Sequence, residues 1–185
     1  MLITRPDHDI VTNYIFYWST FIITQAFKSG KNVTDLSKNR ANAKEFASVI
    51  RKTKPKMIVI NGHGSDSVVR GYDNEPLVEK GKNQDLFKGA IVFARSCQSA
   101  RSLGPEAIKI GCKAYIGYDD DFVFVTETAM TTKPLEDKTA QLFLEPSNYV
   151  VISLLKGHSP TDANKRSKDF YKKQGFNLMN YHGSY

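Results

Sequence analysis

The stretch "MIVINGHGSD", residues 57–66, joins a continuous apolar run to a histidine that stands between two glycines. A strand that is covered on both faces of a sheet has such an unbroken run, whereas a strand with one solvent face alternates. The run therefore predicts a buried strand. His63 follows the run after Asn61 and Gly62, at the rim of the sheet, where packing does not require an imidazole.

Strand-like and helix-like segments alternate along the chain, which predicts an α/β domain with a mainly parallel sheet. Before the quoted stretch we expect a strand in "MLITRP", a long apolar helix over residues 10–27, a strand in "KNVTDLS" and a helix in "NRANAKEFASVIRKTK". After it we expect a small hairpin around residues 71–74, a helical turn in "NQDLFKG", strands in "AIVFARSC" and "KAYIGY", and a closing helix from Ser159. Polar residues interrupt the apolar helix, so we interpret it as a core helix and not as a membrane span.

The run "AIVFARSC" also ends on a reactive residue type, Cys97. If this strand and the strand before His63 are parallel neighbours, the two residues lie side by side at the carboxyl edge of the sheet, where ligands and catalytic groups gather. An adjacent imidazole and a helix N-terminus both favour the nucleophilic thiolate. The segment "SCQSARSLGPEAIKIG" predicts such a helix shortly after Cys97.

An apolar strand ending in His-Gly, followed by one ending in Ala-x-x-Cys-x-Ser, resembles the caspase-like (clan CD) cysteine peptidases. That group includes caspases, metacaspases, legumains, gingipains, separases and CHAT domains. The resemblance to CHAT-type domains covers most of the chain, including "DLFKGAIVFARSCQSA", "GCKAYIGY" and "LLKGHSPTDANKRSKDFY". It implies a caspase-like three-layer sandwich with a mainly parallel central sheet, helices on both faces and a small hairpin after the His-Gly strand.

The resemblance implies a cysteine endopeptidase with a Cys97–His63 dyad. Cys97 would attack the scissile carbonyl, His63 would protonate the leaving amine, and the N–H groups of Gly64 and Cys97 would hold the oxyanion. Neither a metal ion nor an organic cofactor is expected. CHAT-like domains often belong to assemblies in which a sensor controls the protease, including prokaryotic defence systems, so a regulatory protein partner is expected. The long connection over residues 65–89 is expected to act as a mobile lid.

The chain differs from caspases and metacaspases at residues that determine substrate specificity in those peptidases. The caspase signature Gln-Ala-Cys-x-Gly is absent, and Arg95 stands where metacaspases usually carry an aspartate. Arg95 would favour an acidic residue before the cleaved bond, whereas the triplet Asp119, Asp120 and Asp121 would favour a basic one. We expect Arg95 to be neutralised by an aspartate, with Asp119 and Asp120 facing the pocket and Asp121 turned away by alternation. The resulting prediction is cleavage after Lys or Arg.

Composition leaves two other functions open. We expect one domain over residues 1–185, because 185 residues with 41% hydrophobic content can bury one core. The formal net charge of +7 is spread along the chain, which makes direct nucleic-acid binding, through the basic C-terminal helix, the weakest alternative. The other is a non-catalytic interaction module whose basic surface docks a partner protein.

The two cysteines show no disulfide or zinc spacing, and we expect a reducing cytoplasmic setting with Cys112 structural. We interpret the other histidines as surface residues: His8, His158 and His182.

Overall fold

The computed structural model describes the backbone of residues 1–181 and the side chains of residues 1–175. His182 lies outside the described residues. In the described part, five parallel strands form one sheet in the order β2-β1-β3-β6-β7. These strands are β1 (Leu2–Arg5), β2 (Thr34–Ser37), β3 (Met57–Asn61), β6 (Ile91–Arg95) and β7 (Ala114–Ile116). The helices are α1 (Ile10–Trp18), α2 (Thr20–Lys28), α3 (Ala43–Thr53), α4 (Leu103–Lys109), α5 (Lys138–Leu155) and α6 (Pro160–Tyr181).

Each face of the sheet is covered by its own set of helices. One face packs against α3 and α4, with Phe46 and Leu103 in the same buried cluster as Ile58. The other face packs against α2, α5 and α6, with Val151 in the same buried cluster as Val59. The expected α/β architecture with a mainly parallel sheet is therefore confirmed, and the arrangement fits a three-layer sandwich.

The apolar stretch over residues 10–27 forms two helices instead of the single one expected. Ser19 is buried, closes α1 by donating its N–H to the carbonyl of Ile15, and begins α2. Among the described residues, no helix combines the length and the apolar character needed to cross a membrane.

The expected hairpin after the His-Gly strand is present. It consists of β4 (Val68–Arg70) and β5 (Pro76–Glu79), which pair antiparallel. Val69 and Leu77 are fully buried in the core beneath α3. Residues 65–89 therefore contain a packed hairpin and are not one long irregular connection, and their expected motion as a lid stays a prediction.

The strand order places a topological switch point between β1 and β3. The chain passes from β1 to β2 on one side of β1 and returns to β3 on its other side. In open parallel sheets, the loops that follow the strands diverge at such a point and leave a crevice. The segments after β1 and after β3 border this crevice, and the segment after β6 lies next to them.

Candidate active site

His63 and Cys97 occupy equivalent positions on neighbouring strands. Asn61 on β3 pairs with Arg95 on β6 in a parallel register, and each functional residue lies two positions beyond its strand's paired residue. Both side chains border a cavity of about 370 Å³ at the carboxyl edge of the sheet. The structure therefore brings the two residues together as expected, although no hydrogen bond joins them in the described part of the chain.

Asp9 is a third member of this site, and sequence reasoning missed it. Its Oδ2 lies 2.6 Å from Nε2 of His63. Its other carboxylate oxygen caps α1, because Oδ1 accepts the N–H of Thr12 at 2.7 Å. The signal was available in the sequence, since "PDHD" directly follows β1 and so stands at the same sheet edge as His63.

The hydrogen bonds to Asp9 keep its carboxylate ionised. Burial works against the charge, but the Thr12 N–H, the His63 ring and the Thr12 hydroxyl outweigh it and lower the pKa of Asp9. An ionised carboxylate only accepts hydrogen bonds, so the proton between the two residues belongs to Nε2 of His63. The neutral ring then has its lone pair on Nδ1, which is the nitrogen free to transfer a proton.

The thiol of Cys97 is partly buried and is mainly protonated at neutral pH. Burial is the largest cause that raises its pKa, and the nearby carboxylate of Asp121 adds to it, while the backbone of Phe122 acts in the opposite direction. The helix expected to favour the thiolate gives no such help. It begins only at Leu103, after a series of turns that separates it from Cys97.

The two N–H groups expected to hold the oxyanion are free to donate. In the described residues, neither the N–H of Gly64 nor that of Cys97 donates to another residue. The carbonyl of His63 accepts from Ser96 Oγ at 3.0 Å, which ties the Gly64 segment to the segment of Cys97. A side chain at position 64 has no room, because its Cβ would lie 2.0 Å from Ser96 Oγ and 2.5 Å from the carbonyl oxygen of Val68. The backbone can therefore approach a bound carbonyl closely at this point.

Arg95 borders the cavity, but its guanidinium is directed to α5. The side chain is fully buried, with Nε donating to Ser147 Oγ at 2.8 Å and Nη2 donating to Asn148 Oδ1 at 2.5 Å. Burial lowers its pKa. No aspartate neutralises it among the described residues, so that expectation is wrong.

The three aspartates are arranged in the opposite way to the alternation argument. Asp121 borders the cavity beside Cys97, and its Oδ1 accepts from Gln98 Nε2 at 2.9 Å. Asp119 instead borders a different cavity, and Asp120 is directed to solvent with its Oδ1 3.6 Å from Arg101. Residues 117–127 contain no strand, so the period of two did not apply. The assignment of Asp119 and Asp120 to the pocket is wrong, and Asp121 is the residue that reaches it.

Two other sequence interpretations have clear outcomes. Cys112 is buried, donates to the carbonyls of Ala90 and Ala114, and has a pKa raised by burial to about 11, in agreement with a structural role. His8, expected at the surface, instead has a side chain only 7% exposed. Its ring lies edge-on to Tyr72 and near His63.

Comparison of the chain with family models, with curated proteins and with solved structures finds no match.

Proposed function

We propose that this chain is a cysteine endopeptidase of the caspase-like type. The observation that carries the proposal is the meeting of Cys97 and His63 in one cavity, at the ends of neighbouring parallel strands, with Asp9 bonded to the far nitrogen of the histidine. The hairpin after the His-Gly strand supports the same family. A thiol, an imidazole and an orienting carboxylate form the general pattern of an activated nucleophile.

The proposed mechanism begins with attack of the Cys97 sulfur on the scissile carbonyl. The carbonyl oxygen gains negative charge and is held by the N–H groups of Gly64 and Cys97. His63 takes the thiol proton on Nδ1 and passes it to the leaving amine, while Asp9 stabilises the charged ring through Nε2. Water then hydrolyses the resulting thioester, with His63 accepting the water proton and returning it to sulfur.

The mechanism does not require a hydrogen bond between His63 and Cys97 in the free protein. Catalytic contacts are often longer without substrate and tighten in the complex. Burial raises the pKa of Cys97, so the proposal requires the thiol to lose its proton to His63 within the substrate complex. The dyad is therefore proposed to act by proton transfer during the reaction and not as a permanent ion pair.

We expect cleavage after a basic substrate residue. Asp121 would bind that residue, in place of Asp119 and Asp120. Asp121 offers an exposed carboxylate beside Cys97, whereas the Arg95 guanidinium is buried against α5. A substrate cation paired with Asp121 would also cancel a charge that disfavours the Cys97 thiolate. A charge-assisted hydrogen bond contributes about 1.5–3 kcal/mol, which corresponds to a preference of roughly tenfold or more.

A regulatory protein partner, and a role in a prokaryotic defence system, are part of this proposal through the resemblance alone. The second candidate function is a non-catalytic module that docks a partner protein through its basic surface. The observation that favours this module is the pKa of Cys97, which burial raises, since a protonated thiol is a weak nucleophile.

The deciding experiment is digestion of a peptide library varied at the residue before the cleaved bond. We expect cleavage by the wild-type chain and by Cys112→Ala, and no cleavage by Cys97→Ala. Cys97 is only partly buried and lies beyond the end of β6, so this substitution should leave the core intact. Undiminished cleavage by Cys97→Ala would overturn the assignment. Absence of cleavage by every form, with and without cell extract added, would favour the interaction module.

A further inference from the structure

Three potential metal ligands meet at the switch point between β1 and β3. They are His8 and Asp9, which follow β1, and His63, which follows β3. One ligand atom from each lies within 4.8 Å of the others. Asp9 Oδ2 is the centre of the group, 2.6 Å from Nε2 of His63 and 3.7 Å from Nε2 of His8.

His8 gives independent evidence that this group is incomplete. Its side chain is only 7% exposed, and both of its ring nitrogens are buried without a hydrogen-bond partner in the described part of the chain. A neutral imidazole always has one donor and one acceptor nitrogen, and buried polar groups are nearly always satisfied. Oδ2 of Asp9 lies 3.7 Å from Nε2 of His8, which is too distant for a hydrogen bond. A ligand between these residues would satisfy the ring.

The donor set selects the kind of ligand. Two imidazole nitrogens and one carboxylate oxygen suit zinc, whereas Ca²⁺ and Mg²⁺ prefer oxygen ligands in larger number. Zinc binds such atoms at about 2.0–2.2 Å, which places tetrahedral ligands about 3.5 Å apart. The separation of His8 and Asp9 is already close to that value, and small side-chain rotations would open the shorter contact of Asp9 with His63.

Access to the group is open from two sides. His63 borders the cavity of Cys97, whereas His8 and Asp9 border a second cavity together with Tyr17 and Tyr72. An ion between the three side chains would have its fourth position free for water, as in zinc sites with three protein ligands.

We propose that His8, Asp9 and His63 form a Zn²⁺ site, and that the bound ion inhibits the peptidase by occupying Nε2 of His63. The inhibitory part rests on the proposed function. A neutral imidazole has one proton, so binding of Nε2 to the ion moves that proton to Nδ1. The Nδ1 lone pair is then lost, and the ring can no longer accept the proton of the Cys97 thiol.

Binding is tested first, without reference to activity. The untagged, metal-free chain is titrated with Zn²⁺ in competition with a chromophoric chelator, and with Co²⁺ to record its ligand-field spectrum. We expect one ion per chain, and at least a tenfold loss of affinity in His8→Asn and in His63→Asn. The matched control His158→Asn should keep the wild-type affinity, and so should Cys97→Ser, because the thiol is not one of the three proposed ligands.

Several results would overturn the site. They are wild-type affinity in His8→Asn, loss of binding in Cys97→Ser, or no stoichiometric binding by the wild-type chain. Thermal unfolding without metal identifies a variant that fails to fold, and histidine ring NMR shifts on Zn²⁺ addition then report the ligands in the wild-type chain. Shifts at His8 and His63 support the site, and shifts confined to other histidines overturn it.

Inhibition is tested separately on peptide cleavage. We expect Zn²⁺ to inhibit the wild-type chain and, at the same concentration, to inhibit His8→Asn at least tenfold less, each relative to its own metal-free rate. Zn²⁺ binding in a chain that cleaves no peptide would support the site and overturn its inhibitory role. Equal inhibition of both forms would overturn the role of His8.

Discussion

Asp9 and His63 are separated by 54 residues in sequence, yet Oδ2 of the first lies 2.6 Å from Nε2 of the second. The contact depends on the neighbouring positions of β1 and β3, which are parallel and hydrogen-bonded. The same carboxylate caps α1. One residue therefore fixes both the start of a helix and the orientation of the proposed catalytic ring.

Asp9→Asn separates these two roles. Asparagine caps helices about as well as aspartate, so the free energy of unfolding should change by less than about 1 kcal/mol. The uncharged amide cannot stabilise a charged His63, and it can offer an N–H where the ring needs an acceptor. We expect kcat/KM for peptide cleavage to fall by about 10²-fold, within the range typical of general acid–base catalysis.

Asp7→Asn is the matched control for that experiment. Asp7 lies in the same segment, but its carboxylate contacts Asn13 and Lys38 and not His63. Its substitution should leave kcat/KM within about twofold of wild type. An equal loss of activity in the two variants would show that the segment, and not the carboxylate of Asp9, is what matters.

Asp121→Asn should make Cys97 more reactive in the absence of substrate. Alkylation requires the thiolate, so its rate rises with pH through the pKa of Cys97, which burial and then Asp121 place above its ordinary value. The substitution removes the second cause and leaves the first. The midpoint of the pH–rate curve should move to lower pH, measured by iodoacetamide labelling and mass spectrometry.

Asp120→Asn serves as the control for alkylation, because the side chain of Asp120 is 84% exposed and is directed to Arg101. Its curve should match that of the wild-type chain. Cys112 supplies an internal reference, since its buried thiol has a pKa of about 11 and should be labelled last. A midpoint that moves equally in both aspartate variants would contradict a specific contact of Asp121 with Cys97.

The sequence predicted the elements that have a simple periodic pattern. Continuous apolar runs identified β3 and β6, and their parallel pairing placed His63 and Cys97 together. The same rule, applied to β1, places Asp7, His8 and Asp9 at this sheet edge, but it does not select Asp9 as the partner of His63. β1 has only four residues, Leu2–Arg5, and it lacks the continuous apolar run that marks β3 and β6.

The direction of side chains outside regular structure was not predictable in this way. Residues 117–127 follow β7 without forming a strand, so alternation gave the wrong member of the aspartate triplet. The partners of Arg95 are on α5, more than 50 residues later, and no local pattern links them. His8 is covered by Tyr72, a contact between two loops that only the folded chain defines.

Arg95→Lys should destabilise the fold without changing cleavage preference. The guanidinium binds Ser147 and Asn148 through two nitrogens in a fixed geometry that a single ammonium cannot reproduce. Loss of one buried, charge-assisted hydrogen bond should lower the free energy of unfolding by about 1.5–3 kcal/mol, measured by urea denaturation. A change in the preferred residue before the cleaved bond would instead assign the guanidinium to substrate binding.

Reversing the charge at position 121 tests the substrate preference directly. The carboxylate of Asp121 is accessible beside Cys97, so Asp121→Lys should lower cleavage after Lys or Arg by roughly tenfold or more, since it replaces a charge-assisted contact with repulsion. Peptides with Glu or Asp at the same position should be cleaved relatively better by this variant than by wild type.

Asp119→Lys introduces the same charge on a residue that borders a different cavity, and its ratio of basic to acidic cleavage should stay close to the wild-type value. The measurement is the ratio of kcat/KM values for paired peptides that differ only at that residue, because a ratio cancels any general loss of activity from the substitution. If the ratio changes equally in both variants, long-range charge explains the preference, and Asp121 does not bind the substrate residue.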